Sequence, residues 1–396
     1  MSLQNEILSS LEKLSADSFT DETDRLRVRD GLQKALRKIS KPFEVIQEHV
    51  NWYFTEIAIV KSLLFAGVFE KWAESGSENL TCQELAKLTG ADALLLRRLL
   101  RAAATVHLFD EVEFDTYSRS PWAIMMGEEP TMVARYDAII SKLNLPNTNK
   151  MPYFLRDTGF QNPIDIEHNA FHYSHGQDFF DYVASDPDVK ESFHHNMNLL
   201  SKYSAVPWKS LYPTKQLIAG AKQDRPILVD IGGGRGNDVK IFMSSHPDAP
   251  NGSVVVQDRA EVIKLIDDPV LVKEGGPVRL MTHDFFAPQP VRGARAYFMH
   301  RILHDWPDDK AEEILRQVAA AMEKGYSKLL IFDILLNDRK PTVAAVMADI
   351  SMMRQFSAKE RSESEFRELL ESTGMKVVRI WADPTAVECI VEAELA

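Results

Sequence analysis

"ILVDIGGGRGNDVKIF", Ile227 to Phe242, decides the fold. The apolar, partly β-branched run Ile227 to Ile231 predicts a buried strand. Gly232, Gly233, Gly234 and Gly236 then predict a tight turn into a helix. Glycine takes backbone conformations closed to other residues and lets a ligand touch the main chain. Outward from this loop the same rhythm repeats. "SVVVQD", "VRLMTHD", "ARAYFMHRIL", "KLLIFDILL", "KVVRIWA" and "AVECIVEAEL" read as strands, with helices such as "DDKAEEILRQVAAAMEKG" and "ESEFRELLESTG" between them. Strands alternating with helices predict an α/β fold, a mostly parallel Rossmann-like sheet with helices on both faces. Ligands bind such a sheet beyond the carboxyl ends of its strands.

NAD, FAD and S-adenosylmethionine all use this corner, and two features favour the last. Asp230 stands immediately before the glycines, where a carboxylate repels a pyrophosphate but pairs with the ammonium of a methionine moiety. The loop also comes late in the chain, after a long helical region. Asp258 ends the next strand 22 residues beyond Gly236, the spacing at which an acid grips ribose hydroxyls. Asp284 and Phe285 in "THDFFAP" fall at the same sheet edge, an acid and an aromatic suited to adenine. The competing reading is that Phe285 and Phe286 are core and Asp284 caps a turn.

"RILHDWPDD", Arg301 to Asp309, follows the fourth strand of the series. Asp305 reads as the cap of the next helix, Pro307 as part of its first turn, and Asp308 and Asp309 as acids at its positive end. His304 has no such local task. A histidine titrating near ~6.5 can deprotonate a phenol of pKa near ~10 at neutral pH. Asp333, ending "LLIFD", and Glu360, in "AKERSESEF", are candidates to orient it.

The 396 residues predict more than one domain, with 45% apolar residues to build the cores. A net charge of −12 disfavours a surface made for nucleic acid or anionic membrane. Cys82 and Cys389 have no metal-type spacing, and His172, His175, His194 and His195 form no spacing that demands a metal. Neither a signal peptide nor a membrane span is legible, so a soluble, cytoplasmic protein is expected. Residues 1 to about 75 read helical, with Ser18 and Thr20 as cap candidates and "WYFTEIAIVKSLLFAGVFEKWAE" apolar on most faces. Leu80 to Ser120 has a winged helix-turn-helix rhythm: a helix after Thr81, a turn at Thr89-Gly90, a leucine-rich helix and two short strands. Arg97, Arg98 and Arg101 could serve DNA, but the acidic chain favours dimerisation.

These residues together resemble the class II small-molecule O-methyltransferases, the caffeate and flavonoid type, and most closely their fungal secondary-metabolism branch. The resemblance runs from about residue 40. It rests on "ELAKLTGADALLLRRLLRAAA", "AFHYSHGQDFFDYVASDPDVKESFHHNM", "LVDIGGGRGND", "VVVQDRAEVI", "HDFFAPQPVRGARAYFMHRILHDWPDD" and "AKERSESEF". It implies a winged-helix dimerisation domain (residues 1–122), a helical substrate-pocket segment (123–210), and a Rossmann-like S-adenosylmethionine-binding catalytic domain (211–396). It implies a homodimer. The cofactor is expected at Gly232, Gly234, Asp258, Asp284 and Phe285, with Asp230 beside them, and His304 is expected as base between Asp333 and Glu360. At position 333 the family usually carries glutamate. Arg235 stands where the family has a small residue or lysine. Phe171, Phe180, Phe193, Met197, Trp306 and Met353 are expected to line the pocket for a small aromatic or polyketide-derived substrate. The alternative is an enzyme of the same fold that keeps the cofactor but catalyses a cyclisation or pericyclic rearrangement.

Overall fold

A computed structural model describes residues 2–129, 131–203 and 206–396. The chain divides into two compact units. One comprises Met1–Lys142 and Glu191–Asn196, the other Leu143–Lys190 and Met197–Ala396. The segment 123–210, expected as one piece, is shared between them.

In the first unit, helices Leu3–Leu11 and Glu22–Ile39 have no buried residue. The second is capped by Asp21, which accepts from the Thr23 and Asp24 amides, and not by Ser18 or Thr20. The apolar segment expected to be buried breaks at Gly67, whose φ of +72° ends one helix and starts the next. Val60, Leu63, Val68, Phe69 and Trp72 from these two helices are buried, whereas Trp52, Tyr53, Phe54 and Phe65 are exposed. Phe69 and Trp72 stack on Phe109, and each such burial contributes roughly 2–3 kcal/mol. The winged-helix reading holds. Thr81 and Glu84 form a capping box on helix Cys82–Thr89, Gly90 closes it in the left-handed conformation, and helix Ala93–Thr105 follows. Strands β1 (Asn79–Thr81), β2 (Phe109–Glu113) and β3 (Thr116–Arg119) pair antiparallel in the order β1-β3-β2. Arg97, one of the three arginines weighed for DNA, reaches Asp115 at 3.3 Å and lies over the Phe114 ring.

The second unit is built on one sheet. Its strands are β4 (Leu228–Ile231), β5 (Val254–Asp258), β6 (Val278–Thr282), β7 (Ala296–His300), β8 (Lys328–Leu336), β9 (Arg361–Ser362), β10 (Met375–Ala382) and β11 (Glu388–Leu395). They run in the order β10-β11-β8-β7-β4-β5-β6, with the two-residue β9 paired to β8. β4 to β8 are parallel, and β10 and β11 add an antiparallel edge. Two apolar cores form, one on each face of the sheet. One gathers Val229, Tyr297, Leu329, Ile314 and Leu370, the other Leu228, Phe242, Phe298, Leu330 and Trp208. Alternate residues of one strand thus enter opposite cores, as the pleat requires. The chain reverses between β5 and β7 on either side of β4, so a crevice opens at the carboxyl end of β4, beside the glycine loop.

Candidate active site

The glycine loop does what its sequence predicts. Gly232, Gly234 and Gly236 have φ of +70°, +55° and +76°, and helix Asn237–Ser245 starts directly after them. A Cβ on Gly232 would stand 2.4 Å from Ile302 Cδ1, and one on Gly233 2.5 Å from the Asp230 carboxylate. Around Gly234 there is open space. Asp258 Oδ2 accepts from the Gly234 amide at 2.8 Å, and its Oδ1 from the Arg259 amide. Asp230 is 1% exposed, and both its carboxylate oxygens lack a hydrogen-bond partner. Burial, with Asp238 nearby, pushes its pKa well up. A buried, unsatisfied carboxylate needs a cationic donor to offset its cost, and an amino-acid ammonium supplies one. Burial also raises the pKa of Asp258, against the pull of its two amide donors.

Asp284 is exposed and its Oδ1 accepts from the Phe286 amide, so the turn-capping reading of this acid is realised. Phe285 and Phe286 are partly buried against the sheet core. Trp306 meets both edge-on, at ring separations of 5.8 and 4.7 Å. Trp306, expected in the acceptor pocket, is therefore grouped with the aromatics beside Asp284.

β7 ends at His300, earlier than expected. Arg301 then takes a φ of +54°, and Leu303–Asp305 make a 3-10 turn. Helix Asp308–Ala321 is capped by the backbone of Pro307, with no side-chain cap. Asp305 is thus not the helix cap and Pro307 precedes the first turn, which corrects both readings. Asp308 and Asp309 do fall in that turn. The Asp305 carboxylate instead lies 3.5 Å from His304 Nε2. On the other side, His304 Nδ1 donates to Glu360 Oε1 at 2.9 Å. His304 is buried, Glu360 and Asp333 are each 1% exposed, and both oxygens of Asp333 lack a hydrogen-bond partner. Burial alone would lower the imidazole pKa, but Asp305, Glu360 and Asp333 outweigh it and hold it at about 9. Burial pushes Asp333 to about 7 and Asp305 to about 6, with His304 opposing both rises.

Two parts of this region escaped the sequence reading. Arg361 is fully buried and donates to the Leu303 and Trp306 carbonyls at 2.8 and 2.9 Å and to Asp308, clamping the turn that carries His304. The Arg after Glu360 in "KER" was its signal. The second is an ion-pair chain. His300 Nδ1 faces Asp238 at 2.7 Å, its Nε2 faces Glu388 at 3.3 Å, and Arg301 Nε donates to the same Glu388 oxygen at 2.5 Å. Although burial opposes it, these acids hold His300 charged, with a pKa of about 10, while the cations pull buried Glu388 down to about 2. No spacing in the sequence signals this set.

The proposed pocket residues scatter. Phe171 is fully buried, stacked on His175 at 3.9 Å, so it reads as core rather than open lining. Phe180 is partly buried and stacks on Phe356, next to Met353 on helix Val343–Phe356. Phe193 belongs to the first unit, and Met197, like the others, to the second. Arg235 Nε is buried without a hydrogen-bond partner.

The fold and these residues define a class: a Rossmann-like sheet with a glycine-loop cofactor corner and a histidine between carboxylates beside it. Residues 159–376 match the O-methyltransferase domain family, and the chain belongs to that family, whose methyl donor is S-adenosylmethionine. The chain is 36% identical to O-methyltransferase ATR12 of Stachybotrys chlorohalonatus (strain IBT 40285), over 98% of both chains. Among solved structures, one described as a pericyclic reaction enzyme shares 25% identity at a TM-score of 0.87, covering 99% of each chain. OxaC in complex with SAH and oxaline shares 26% at 0.80, over 98% of this chain and 96% of that one. Among the described residues, no single helix is long and apolar enough to cross a membrane.

Proposed function

We propose that the protein transfers a methyl group to a phenolic or enolic hydroxyl of a small secondary metabolite, with His304 as general base. The observation that carries this is the tethering of His304. Glu360 engages Nδ1, which leaves Nε2 as the nitrogen for an acceptor proton. Bound at Asp230, Gly232, Gly234, Asp258, Asp284 and Phe285, S-adenosylmethionine supplies a methyl group already activated on a sulfonium. The unpaired Asp230 carboxylate fits its ammonium, and the open space at Gly234 beside Asp258 fits its ribose. What remains for the chain is to hold the acceptor oxygen in line and remove its proton. Asp333 and Glu360 stabilise the imidazolium that results, and Phe180, Met197 and Met353 are proposed to line the acceptor side.

A second reading is a cofactor-retaining pericyclase. It is favoured by the acids that keep His304 protonated to about pH 9, because an imidazolium can donate to a substrate carbonyl. Incubation with methyl-labelled S-adenosylmethionine and a panel of phenols and enols separates the two. Methyl transfer predicts labelled product, and His304→Ala should lower turnover roughly 10²–10⁴-fold with cofactor binding kept. Substrate consumed without gain of one CH₂ supports the pericyclase and sinks the transferase reading.

We further propose a cytoplasmic homodimer, with residues 1–122 as its dimerisation domain. Supporting this are two buried free thiols, Cys82 and Cys389, and exposed apolar residues on the N-terminal helices, including Leu3, Leu8, Leu36, Phe43 and Phe54.

A further inference from the structure

We propose that Asp305 resets the base, carrying the proton that His304 gains out to solvent after each turnover. The inference rests on His304 as the base. Three carboxylates surround that imidazole, and they are not equivalent. Glu360 holds Nδ1 and its side chain is 1% exposed. Asp333 is equally sealed on β8. Asp305 alone of the three faces Nε2, the nitrogen that meets the acceptor, and its side chain keeps 19% exposure. It has no competing local task, because the helix that follows takes no side-chain cap. Its distance of 3.5 Å to Nε2 is too long for a strong hydrogen bond, but a shift of a few tenths of an ångström makes one.

The balance is simple. As the acceptor oxygen bonds to the methyl carbon, the carbon–sulfur bond breaks and the acceptor proton moves to Nε2. The sulfonium charge disappears and an imidazolium charge appears. A proton passed from Nδ1 to Glu360 would stay on a carboxylate whose side chain is 1% exposed, so the route to solvent runs from Nε2. Asp305 accepts it and returns it to water, which restores a neutral imidazole with its Nε2 lone pair free. The charged groups facing this pair are Glu360 and Asp333 beside His304, and Arg301 beside Asp305. Asp349 accepts from the Glu360 amide at 3.1 Å. Asp305, Glu360 and Asp333 together make the imidazolium persistent, and of the three only Asp305 stands at Nε2 with a partly exposed side chain, so a turnover without that exit would stall with the base protonated.

The test reads His304 directly. In protein labelled with ¹⁵N-histidine, the His304 Nε2–H signal is identified by its loss in His304→Gln, and its exchange with water is measured. Asp305→Asn should slow that exchange at least tenfold, and Asp305→Glu should restore it. Exchange as fast in Asp305→Asn as in the wild type overturns the relay, whether or not any acceptor is methylated. With a phenol that the wild type methylates, Asp305→Asn should complete its first turnover faster than its later ones, with the later ones recovering on raising the imidazole buffer concentration. A defect equal in the first and later turnovers and indifferent to buffer likewise overturns it.

Discussion

His304 and Asp230 carry opposite electrostatic problems, and each yields a prediction. His304 is buried among acids that hold its proton up to about pH 9, so its base form grows as pH rises through that value. In the proposed reaction kcat/KM of the free enzyme should therefore climb on its acid limb toward pH 9. Glu360→Gln removes an acid that raises the histidine pKa, so the limb should move down by about one unit or more, while maximal turnover falls because Nδ1 loses its carboxylate. A pH–rate profile that does not move in Glu360→Gln would refute that account. Asp230 is a buried carboxylate with no partner, and its pKa is raised, so the folded chain loses stability as pH climbs through that raised value. Asp230→Asn should raise the unfolding temperature of the ligand-free protein at pH 8, by roughly 2–4 °C for each kcal/mol relieved. It should weaken S-adenosylmethionine binding at least tenfold, or about 1.4 kcal/mol. Calorimetry and cofactor titration on one preparation check both signs.

At the scale of elements, the glycine loop and the 3-10 turn behave differently. The loop is local. Gly232, Gly234 and Gly236 are required by positive φ, Gly233 by the Asp230 carboxylate, and Gly232 by Ile302 as well, so Gly232→Ala should cost stability and cofactor affinity together. That loop was legible in the sequence, as were seven of the eight strands of the sheet. The turn carrying His304 was read in type but not in detail. Asp305 and Pro307 look like helix-start residues, yet Arg361 pulls the Leu303 and Trp306 carbonyls into a turn that local preference does not specify. Arg361→Lys keeps one charge but loses the fork that serves several acceptors. Buried carbonyls left unpaired should cost roughly 2–4 kcal/mol, read as a shift in denaturant midpoint, and methyl transfer should fall as His304 loses its setting.

For the molecule as a whole, apolar residues that stay on the surface are informative. Helix Glu22–Ile39 buries nothing within the chain although Leu32 and Leu36 lie on it. If a second copy covers them, Leu32→Glu with Leu36→Glu should convert a dimer to a monomer in analytical ultracentrifugation while far-ultraviolet dichroism stays unchanged. A monomeric wild type would end that proposal.

The sequence by itself determined the parts whose signals are local: strand periodicity, the glycine turn, the winged-helix rhythm, and an acid before and after the cofactor loop. It also named His304 and Glu360, which the fold brings to 2.9 Å across 56 residues of chain. Only the tertiary structure decided what is charged and what is reachable. Asp238, His300 and Glu388 lie 62 and 88 residues apart in pairing, and nothing in their neighbourhoods marks them as partners. Asp305 looked like a cap and became a neighbour of Nε2. The reason is physical. Backbone preferences act over a few residues and are written in order along the chain. The strength of a charge depends on burial and on what stands opposite, and both are set only when distant strands have assembled.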